Sequence, residues 1–338
     1  AAQIAAASGA AFLVVGLSAS VNEYNAAASA PWTWESVAHA RDTGLPLAID
    51  EVERPGLEAG IATFGSVEEW DIEVLGLAPA TSSFDPVVTS GRWLDEPGSG
   101  VGSDVAPDAV VSEGFALHND IQVGDVVELD LATGPVDVEV IGLVDDHVRA
   151  VYLDRSVLGG ILGSPGHANV VYADRVIEGL PVDAAVAITT AAEIEAESNA
   201  GRAAIVVIFG AIGVVVAGVA ALAVASTLTV SLYQRRHELA AMRAIGASRR
   251  WVRRVVTSEL VPVGLLGAVG GVGLGVLGTR GIIGSFEASN AVEIPVVVPT
   301  GVIAPIVGAT ALLLVVLAAV VVRSSARRSI ATTLRGSG

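Results

Sequence analysis

A short basic segment lies between two long apolar segments and constrains this chain more than any other feature. Seven of its nineteen Lys and Arg residues fall between Arg235 and Arg254, against one acid, Glu238, in a chain of net charge −17. Arginine in short loops beside apolar spans marks the cytoplasmic side of a membrane, because such loops resist translocation. The pattern therefore predicts a multi-pass protein of the plasma membrane with this segment in the cytoplasm.

The internal pattern of the basic segment predicts a helix, a break and a second helix. Gly246 is the residue type that ends a helix in the left-handed conformation. Ser248 can cap the next helix, which makes Arg249 and Arg253 like-charged neighbours one turn apart. Such pairs are favourable only beside negative charge, so we expect anionic lipid, an acidic partner protein, or both.

The run RHELAAMRAIGASR from Arg236 to Arg249, followed by Glu259 and a glycine-rich apolar helix, resembles the signature of FtsX-like permease domains of ABC transporters. This family includes FtsX, MacB and the lipoprotein-releasing permeases. The resemblance implies that the segment docks on a separate ATPase subunit, which binds the ATP. The residues implied in this coupling are Arg236, Glu238, Arg243, Gly246, Ala247, Ser248 and Arg249. An ordinary basic loop is the alternative, but it explains the arginines only.

Composition excludes several kinds of chemistry. The chain has no Cys, and all nineteen basic residues are Arg, so a P-loop with its phosphate-binding Lys is excluded. His237-Glu238 begins like a zinc-protease motif, but residue 241 is Ala. Asp145-Asp146-His147 could suggest a metal or a base, and we favour a solvated loop after a strand. We expect no catalytic residue, no metal and no cofactor here, and the overall acidity argues against a nucleic-acid partner.

The charges are segregated along the chain. Residues 21–200 hold 32 acids and 6 arginines, whereas the tail from Arg323 to Arg335 holds four arginines and no acid. An acidic block and two basic blocks in one chain predict two sides of a membrane. We therefore expect the acidic block outside and both termini in the cytoplasm.

The acidic block is predicted to be a mixed α+β domain. Apolar and acidic residues alternate over 126–131 and again over 136–140, with Thr133-Gly134-Pro135 between them, which predicts a β-hairpin. Further strands are predicted at 71–77, 108–112, 169–172 and 184–188, and helices at 114–118 and 154–162. The phrases GRWL at 91–94 and VGD at 123–125 resemble the extracytoplasmic domain of MacB-type permeases.

The exit from this domain is predicted to be a stalk. Thr190 and Glu193 have the spacing of a capping box, and the polar run after them leads into the apolar run 203–230. About forty residues of helix span roughly 60 Å, about twice what a bilayer needs. The surplus outer turns would form a stalk continuous with the membrane span.

The third apolar segment carries a glycine repeat and an acid. Gly267, Gly271 and Gly275 form two overlapping GxxxG motifs, which allow close helix approach either within one subunit or in a dimer. Glu259 is an intramembrane acid, for which we favour an ion pair with a cytoplasmic-side arginine over a proton site.

The fold class predicted is four transmembrane α-helices with the α+β extracytoplasmic domain inserted between helices 1 and 2. A signal peptide is the alternative for the first helix, since Ala28-Ser29-Ala30 resembles a cleavage site. The chain begins without Met, so we expect a piece of a longer protein, such as the C-terminal half of a larger FtsX-type permease. The predicted segments are helix 1 at 1–22, the outer domain with its stalk at 23–200, helix 2 at 201–233, the coupling loop at 234–254, helix 3 at 255–284, an outer loop at 285–300, helix 4 at 301–322 and a tail at 323–338.

The family resemblance implies the permease subunit of an ABC transporter, working as a homodimer or a pseudo-dimer of permease halves. It would export an extracytoplasmic substrate or transmit force to an extracytoplasmic protein partner. One alternative is a regulator that relays the state of an ATPase to a cell-wall hydrolase. Another is a membrane-anchored binding or sensor domain that has no ATPase.

Overall fold

The computed structural model describes residues 2–41, 44–94, 106–180, 186–234, 248–290, 292, 294–309, 312 and 316. The chain divides into two compact units. The outer unit comprises Val21–Gly201 and Ser285–Pro295, and the helical unit comprises Ala1–Ser20, Arg202–Gly284 and Val296–Gly338.

The outer unit is a mixed sheet with short helices, so the predicted α+β class is confirmed for it. Its strands are β1 (Ser36–Ala40), β2 (Leu47–Ala48), β3 (Leu57–Val67), β4 (Trp70–Leu77), β5 (Val87–Gly91), β6 (Asp108–Ser112), β7 (Val126–Leu131), β8 (Gly134–Asp145), β9 (Ala150–Asp154), β10 (His167–Ala168), β11 (Val170–Ala173) and β12 (Val186–Thr190). Its short helices are α2 (Ile49–Val52), α3 (Glu113–His118) and α4 (Arg155–Ile161).

Six of the strands pair in a closed ring. In order around the ring they are β3, β4, β9, β6, β8 and β7, and β7 returns to β3 through Gly65↔Leu131 and Ser66↔Asp130. The β4–β9 and β6–β8 pairs are parallel and the others antiparallel. Strands β11, β1 and β12 extend the sheet from β3, and β5 extends it from β8. A side chain at Gly65 would bring Cβ to 2.8 Å from the Asp130 carbonyl oxygen, so glycine permits this closure.

Three apolar clusters support the sheet. The first takes buried residues from all six ring strands and therefore fills the ring; it includes Ile61, Val74, Val111, Leu129, Val140 and Leu153. The second is aromatic and contains Phe84, Tyr152 and Tyr172, with Trp32 and Trp93 packed against it. The third lies under β1 and β11.

The local predictions for this domain agree closely with the structure. The hairpin is β7–β8, paired from Val126↔Glu139 to Leu131↔Gly134, and Gly134 takes the positive φ of 117° that its turn requires. The strand predicted at 108–112 is β6, and those predicted at 71–77 and 169–172 correspond to β4 and β11 within one residue at each end. The strand predicted at 184–188 falls partly outside the described residues, and β12 continues to Thr190.

Three long helices follow or precede this domain: α1 (Ala2–Ser29), α5 (Ala191–Gln234) and α6 (Arg249–Asn290). Within the described residues, two stretches are long and apolar enough to cross a membrane, Ile4–Ser29 and Gly264–Asn290. The count of four transmembrane helices stays a prediction. A short 3₁₀ turn, Thr300–Val302, leads into a helix over 303–309, and most of the predicted fourth span lies outside the described residues.

Two predicted boundaries differ from the structure. Helix 1 is predicted to end near residue 22, but α1 continues to Ser29. The outer loop is predicted from residue 285, but α6 continues to Asn290. Polar side chains bond to the last turn of α6, where Ser289 Oγ donates to the Ser285 carbonyl and Asn290 Nδ2 to the Phe286 carbonyl, both at 2.8 Å. Hydropathy alone locates the apolar part of a helix and not its polar continuation.

Candidate functional site

The first part of the basic segment, residues 235–247, lies outside the described residues. This applies to five of the predicted coupling residues, Arg236, Glu238, Arg243, Gly246 and Ala247. Ser248 is exposed and directly precedes α6, whose first residue is Arg249. The second helix of the basic segment and the third apolar segment are therefore one continuous helix of 42 residues.

The glycine repeat of α6 packs against α1. A Cβ at Gly271 would collide with Ser8 Oγ and the Ala5 carbonyl, and a Cβ at Gly275 would lie 2.8 Å from the Gly9 carbonyl oxygen. Gly267 is buried as well. Gly271 and Gly275 therefore lie against α1 of the same chain, and the choice between a contact within one subunit and a dimer contact stays a prediction.

Polar groups reinforce the α1–α6 seam. Ser8 is 2% exposed, and its hydroxyl lies 2.8 Å from the Ile4 carbonyl oxygen and 3.3 Å from the Ala268 carbonyl oxygen of α6. Further along, a Cβ at Gly16 would lie 2.8 Å from Oγ1 of the buried Thr279. Small residues at four-residue spacing on both helices make this approach possible.

Helix α6 also contains Glu259, the predicted intramembrane acid, and Pro262. Proline has no backbone N–H, so it removes one hydrogen bond from the helical ladder. Pro262 is absent from the predicted site residues, although a proline three residues after a carboxylate in an apolar helix is visible in the sequence.

The stalk helix begins directly at the sheet. The predicted capping box is present, since the Thr190 amide donates to Glu193 Oε2 at 2.8 Å and the Glu193 amide donates to Thr190 Oγ1 at 3.1 Å. Hydrogen bonds that the Thr190 amide and the Thr190 hydroxyl donate to Glu193 Oε2 lower the pKa of the Glu193 carboxyl. The Ala191 amide donates to the Glu35 carbonyl at 2.9 Å, and β12 pairs with β1 from Ser36↔Thr190 onwards. The first residue of α5 is therefore bonded to the residue that directly precedes β1.

A buried polar network joins the β8–β9 turn to the sheet. Asp146 is 1% exposed, and its Oδ2 accepts hydrogen bonds from Tyr152 Oη at 2.5 Å and from Ser112 Oγ at 2.9 Å. The Ser112 hydroxyl in turn accepts from the Ala150 amide at 3.0 Å. Burial raises the pKa of the Asp146 carboxyl to about 6, and the hydrogen bonds from Tyr152 and Ser112 oppose that rise.

The solvated-loop interpretation of Asp145-Asp146-His147 was therefore wrong for Asp146. Asp145 is exposed, and its Oδ1 lies 2.7 Å from His147 Nδ1. His147 has a positive φ of 59°, which marks a tight turn. In this turn the side chain of Asp145 lies in solvent and that of Asp146 lies in the interior. No group of three His, Cys, Asp or Glu residues that could hold a metal ion occurs among the residues that the structure describes.

Comparison with known proteins identifies the C-terminal part of the chain. Residues 210–330 match the family model described as FtsX-like permease C-terminal. This match confirms the resemblance predicted from the basic segment, and the FtsX-like permease family is embedded in membranes. No curated protein sequence matches the chain significantly.

Two solved structures are similar to part of the chain. The periplasmic region of MacB from Actinobacillus actinomycetemcomitans has 11% identity and a TM-score of 0.32, covering 50% of this chain and 94% of that one. The extracellular domain of the noncanonic ABC-type transporter YknZ from Gram-positive bacteria has 15% identity and a TM-score of 0.28, covering 43% and 84% respectively. Both TM-scores lie below 0.5, so neither likeness assigns a role to any residue of this chain.

Proposed function

We propose that this chain is the permease subunit of an ABC transporter of the FtsX/MacB type. It couples ATP hydrolysis on a separate ATPase subunit to movement of its extracytoplasmic domain, and it carries no catalytic residue itself. That movement exports an extracytoplasmic substrate or acts on an extracytoplasmic protein. The family match at residues 210–330 supports the class of protein, and the geometry of α5 supports the mechanism.

The observation that carries the proposal is the continuity of α5. This helix is unbroken from Ala191 to Gln234, which is about 66 Å at 1.5 Å per residue. It begins in hydrogen bonds to the outer sheet and ends at the start of the basic segment, inside the region that matches the FtsX-like family. A continuous helix transmits an axial displacement, whereas a jointed one absorbs it.

The basic segment is the proposed contact with the ATPase subunit. It holds seven arginines, and its motif is the part of the sequence that resembles the family signature. In this proposal the segment is cytoplasmic, and the arginines meet acidic groups of the ATPase and anionic lipid headgroups. Glu259 would then pair with an arginine at the cytoplasmic side of α6.

The exposed face of α5 supports membrane embedding and self-association. Val207, Val214 and Leu222 are 69%, 73% and 73% exposed within a single chain. Apolar surface of this extent is costly in water, so lipid or a second permease chain would cover it. We propose that α5 faces the partner permease or the bilayer, while the glycine face of α6 is already occupied by α1.

Purification of the full chain from its own membranes under mild detergent tests this function. We expect a protein with a P-loop to co-purify in stoichiometric amount, and ATP hydrolysis to depend on that protein. Gly246→Val should reduce the stimulation of that ATPase, because a β-branched residue resists the left-handed conformation. Ala244→Val, within the segment but before the predicted break, is the matched control. Recovery of the chain with no P-loop protein would favour a membrane-anchored binding or sensor domain instead.

A further inference from the structure

A groove of about 330 Å³ opens on the outer unit, where the ends of two long helices meet the sheet. All of its lining residues belong to that unit. Three come from helix ends, Tyr24 of α1 and Phe286 and Asn290 of α6, and the sheet and the β8–β9 turn supply most of the others. The remaining lining residues are Phe64, Asp71, Ile72, Glu73, Val148, Arg149 and Val292.

Two aromatic side chains in this groove are unusually exposed. Phe64 on β3 is 76% exposed and Phe286 on α6 is 52% exposed. Most other large side chains of this sheet are buried in the apolar clusters. The neighbours of Phe64, Ala62 and Glu73, lie on the face of the sheet that carries the aromatic cluster. An exposed phenylalanine pair in a concave site marks a surface that takes an apolar ligand group.

A carboxylate that has no ion-pair partner among the described residues lies beside these rings. Glu73 pairs with Phe64 in the β3–β4 register, so their Cβ atoms are about 5 Å apart on one face. Glu73 is half-buried, and its side chain has no hydrogen bond or ion pair among the described residues. Burial raises the pKa of its carboxyl, because the charged form loses contact with water.

The other charges around the groove leave it negative. Arg149 is the single cation in the lining, and its guanidinium carbon lies 5.9 Å from the centre of the Trp70 ring. Asp71 is an exposed second acid of the lining. Burial raises the pKa of the Tyr152 hydroxyl, and the charges of Asp146 and Glu73 raise it further.

We propose that this groove binds an amphipathic organic amine, with its ammonium group against Glu73 and its apolar body between Phe64 and Phe286. An ammonium supplies the missing counter-charge, and the aromatic rings favour both a cation and an apolar group. A purely apolar occupant, such as a lipid acyl chain, would leave the Glu73 carboxylate buried further and uncompensated. Charge complementarity therefore selects the amine.

This inference goes beyond the proposed function, because binding here requires neither ATP nor an ATPase subunit. A bound ligand would touch the sheet, α1 and α6 together through Phe64, Tyr24 and Phe286. The permease would then carry a ligand site at the outer ends of two of its long helices.

Titration calorimetry on the full chain in a neutral detergent, without nucleotide, tests the proposal with three probes of matched shape. These are 4-phenylbutylamine, 4-phenylbutan-1-ol and 4-phenylbutyrate, which are cationic, neutral and anionic. We expect the amine to bind at least about tenfold more tightly than the alcohol, as a charge-assisted contact provides, and the anion to bind most weakly.

Variants assign the effect to named side chains. Glu73→Gln keeps the shape of the side chain, and the variant should bind the amine and the alcohol with equal affinity. Glu69→Gln, at an exposed acid of the β3–β4 turn, should leave both affinities unchanged. Phe64→Ala should weaken the binding of the amine and of the alcohol to the same extent. Because Phe64 is so exposed, this variant keeps the core intact. The proposal is overturned if the wild-type chain binds neither the amine nor the alcohol, or if it binds the two with equal affinity. It is also overturned if the Glu73→Gln variant still prefers the amine. None of these outcomes depends on the ATPase, so they leave the proposed transporter function untouched.

Discussion

The Tyr152 hydroxyl donates a 2.5 Å hydrogen bond to Oδ2 of Asp146, and both side chains are buried. Tyr152 lies on β9 and belongs to the aromatic cluster, while Asp146 lies in the turn that precedes this strand. The same carboxylate oxygen accepts from Ser112 at the end of β6. One ionisable group thus ties two ring strands to a turn whose next residues, Val148 and Arg149, line the groove.

The stability of the outer domain should depend on the protonation of Asp146. Its pKa is raised from 3.8 to about 6, so the folded chain holds this proton more tightly than the unfolded chain does. The stabilisation that this proton gives the folded chain is therefore complete below pH 3.8. It is lost as the pH rises through about 6, by an amount on the order of 3 kcal/mol. Asp146→Asn should remove this loss, so the variant should gain stability relative to wild type between pH 4 and 6.5.

Thermal unfolding followed by tryptophan fluorescence measures this difference, since Trp93 lies 5.6 Å from the Tyr152 ring. Asp145→Asn, at the exposed neighbouring acid, is the control and should follow the wild-type curve. Parallel pH curves for wild type and Asp146→Asn would show that Asp146 is not the titrating group.

The α1–α6 seam should tolerate no side chain at Gly271. Gly271→Ala places a Cβ against Ser8 and Ala5, and overpacking of this kind costs about 1–3 kcal/mol. Gly273→Ala is the matched control, because its Cβ would have nothing within 4 Å and alanine favours a helix. The unfolding temperature of the full chain in detergent should therefore fall for Gly271→Ala and rise for Gly273→Ala. Equal effects would mean that the seam does not hold these helices together.

The stalk mechanism predicts that a break in α5 uncouples the outer domain. Ala200→Pro removes a backbone hydrogen bond and clashes with the preceding turn, at about 3 kcal/mol or more. We expect ATP to change the rate of hydrogen exchange in β1 and β12 of the wild-type chain and of the Ala200→Leu variant. The Ala200→Pro variant should show no such change, while ATP hydrolysis continues in all three proteins. If the proline variant kept the ATP response, the outer domain would act independently of a rigid stalk.

The charge distribution predicts opposite sides for the outer domain and the basic segment. The chain has no cysteine, so Asp130→Cys and Arg250→Cys each create a single reactive thiol. Asp130 is exposed at the end of the β7–β8 hairpin. An impermeant thiol reagent added to intact cells should label residue 130 directly and residue 250 only after the membrane is opened. Labelling of both residues in intact cells would refute the predicted topology.

The features that the sequence predicted well depend on neighbouring residues. The capping box at Thr190 and Glu193 and the β7–β8 hairpin involve groups within a few residues of one another, so their patterns are complete in a short stretch. The FtsX-like signature is likewise a local run. Helix ends were less well predicted at Ser29 and Asn290, because there polar side chains, and not hydropathy, continue the helix.

Local sequence is thus enough to predict the class of protein, the charge segregation and most of the individual elements, because short-range periodicity and charge act through adjacent residues. What distant residues do to one another emerges only in the folded chain. Ser8 meets Ala268 across 260 residues, β7 closes the ring on β3, and Asp146 and Glu73 lose water beside an aromatic cluster. Burial and close approach depend on chain segments far apart in sequence, so no local pattern distinguishes these two carboxylates from the other acids of the domain.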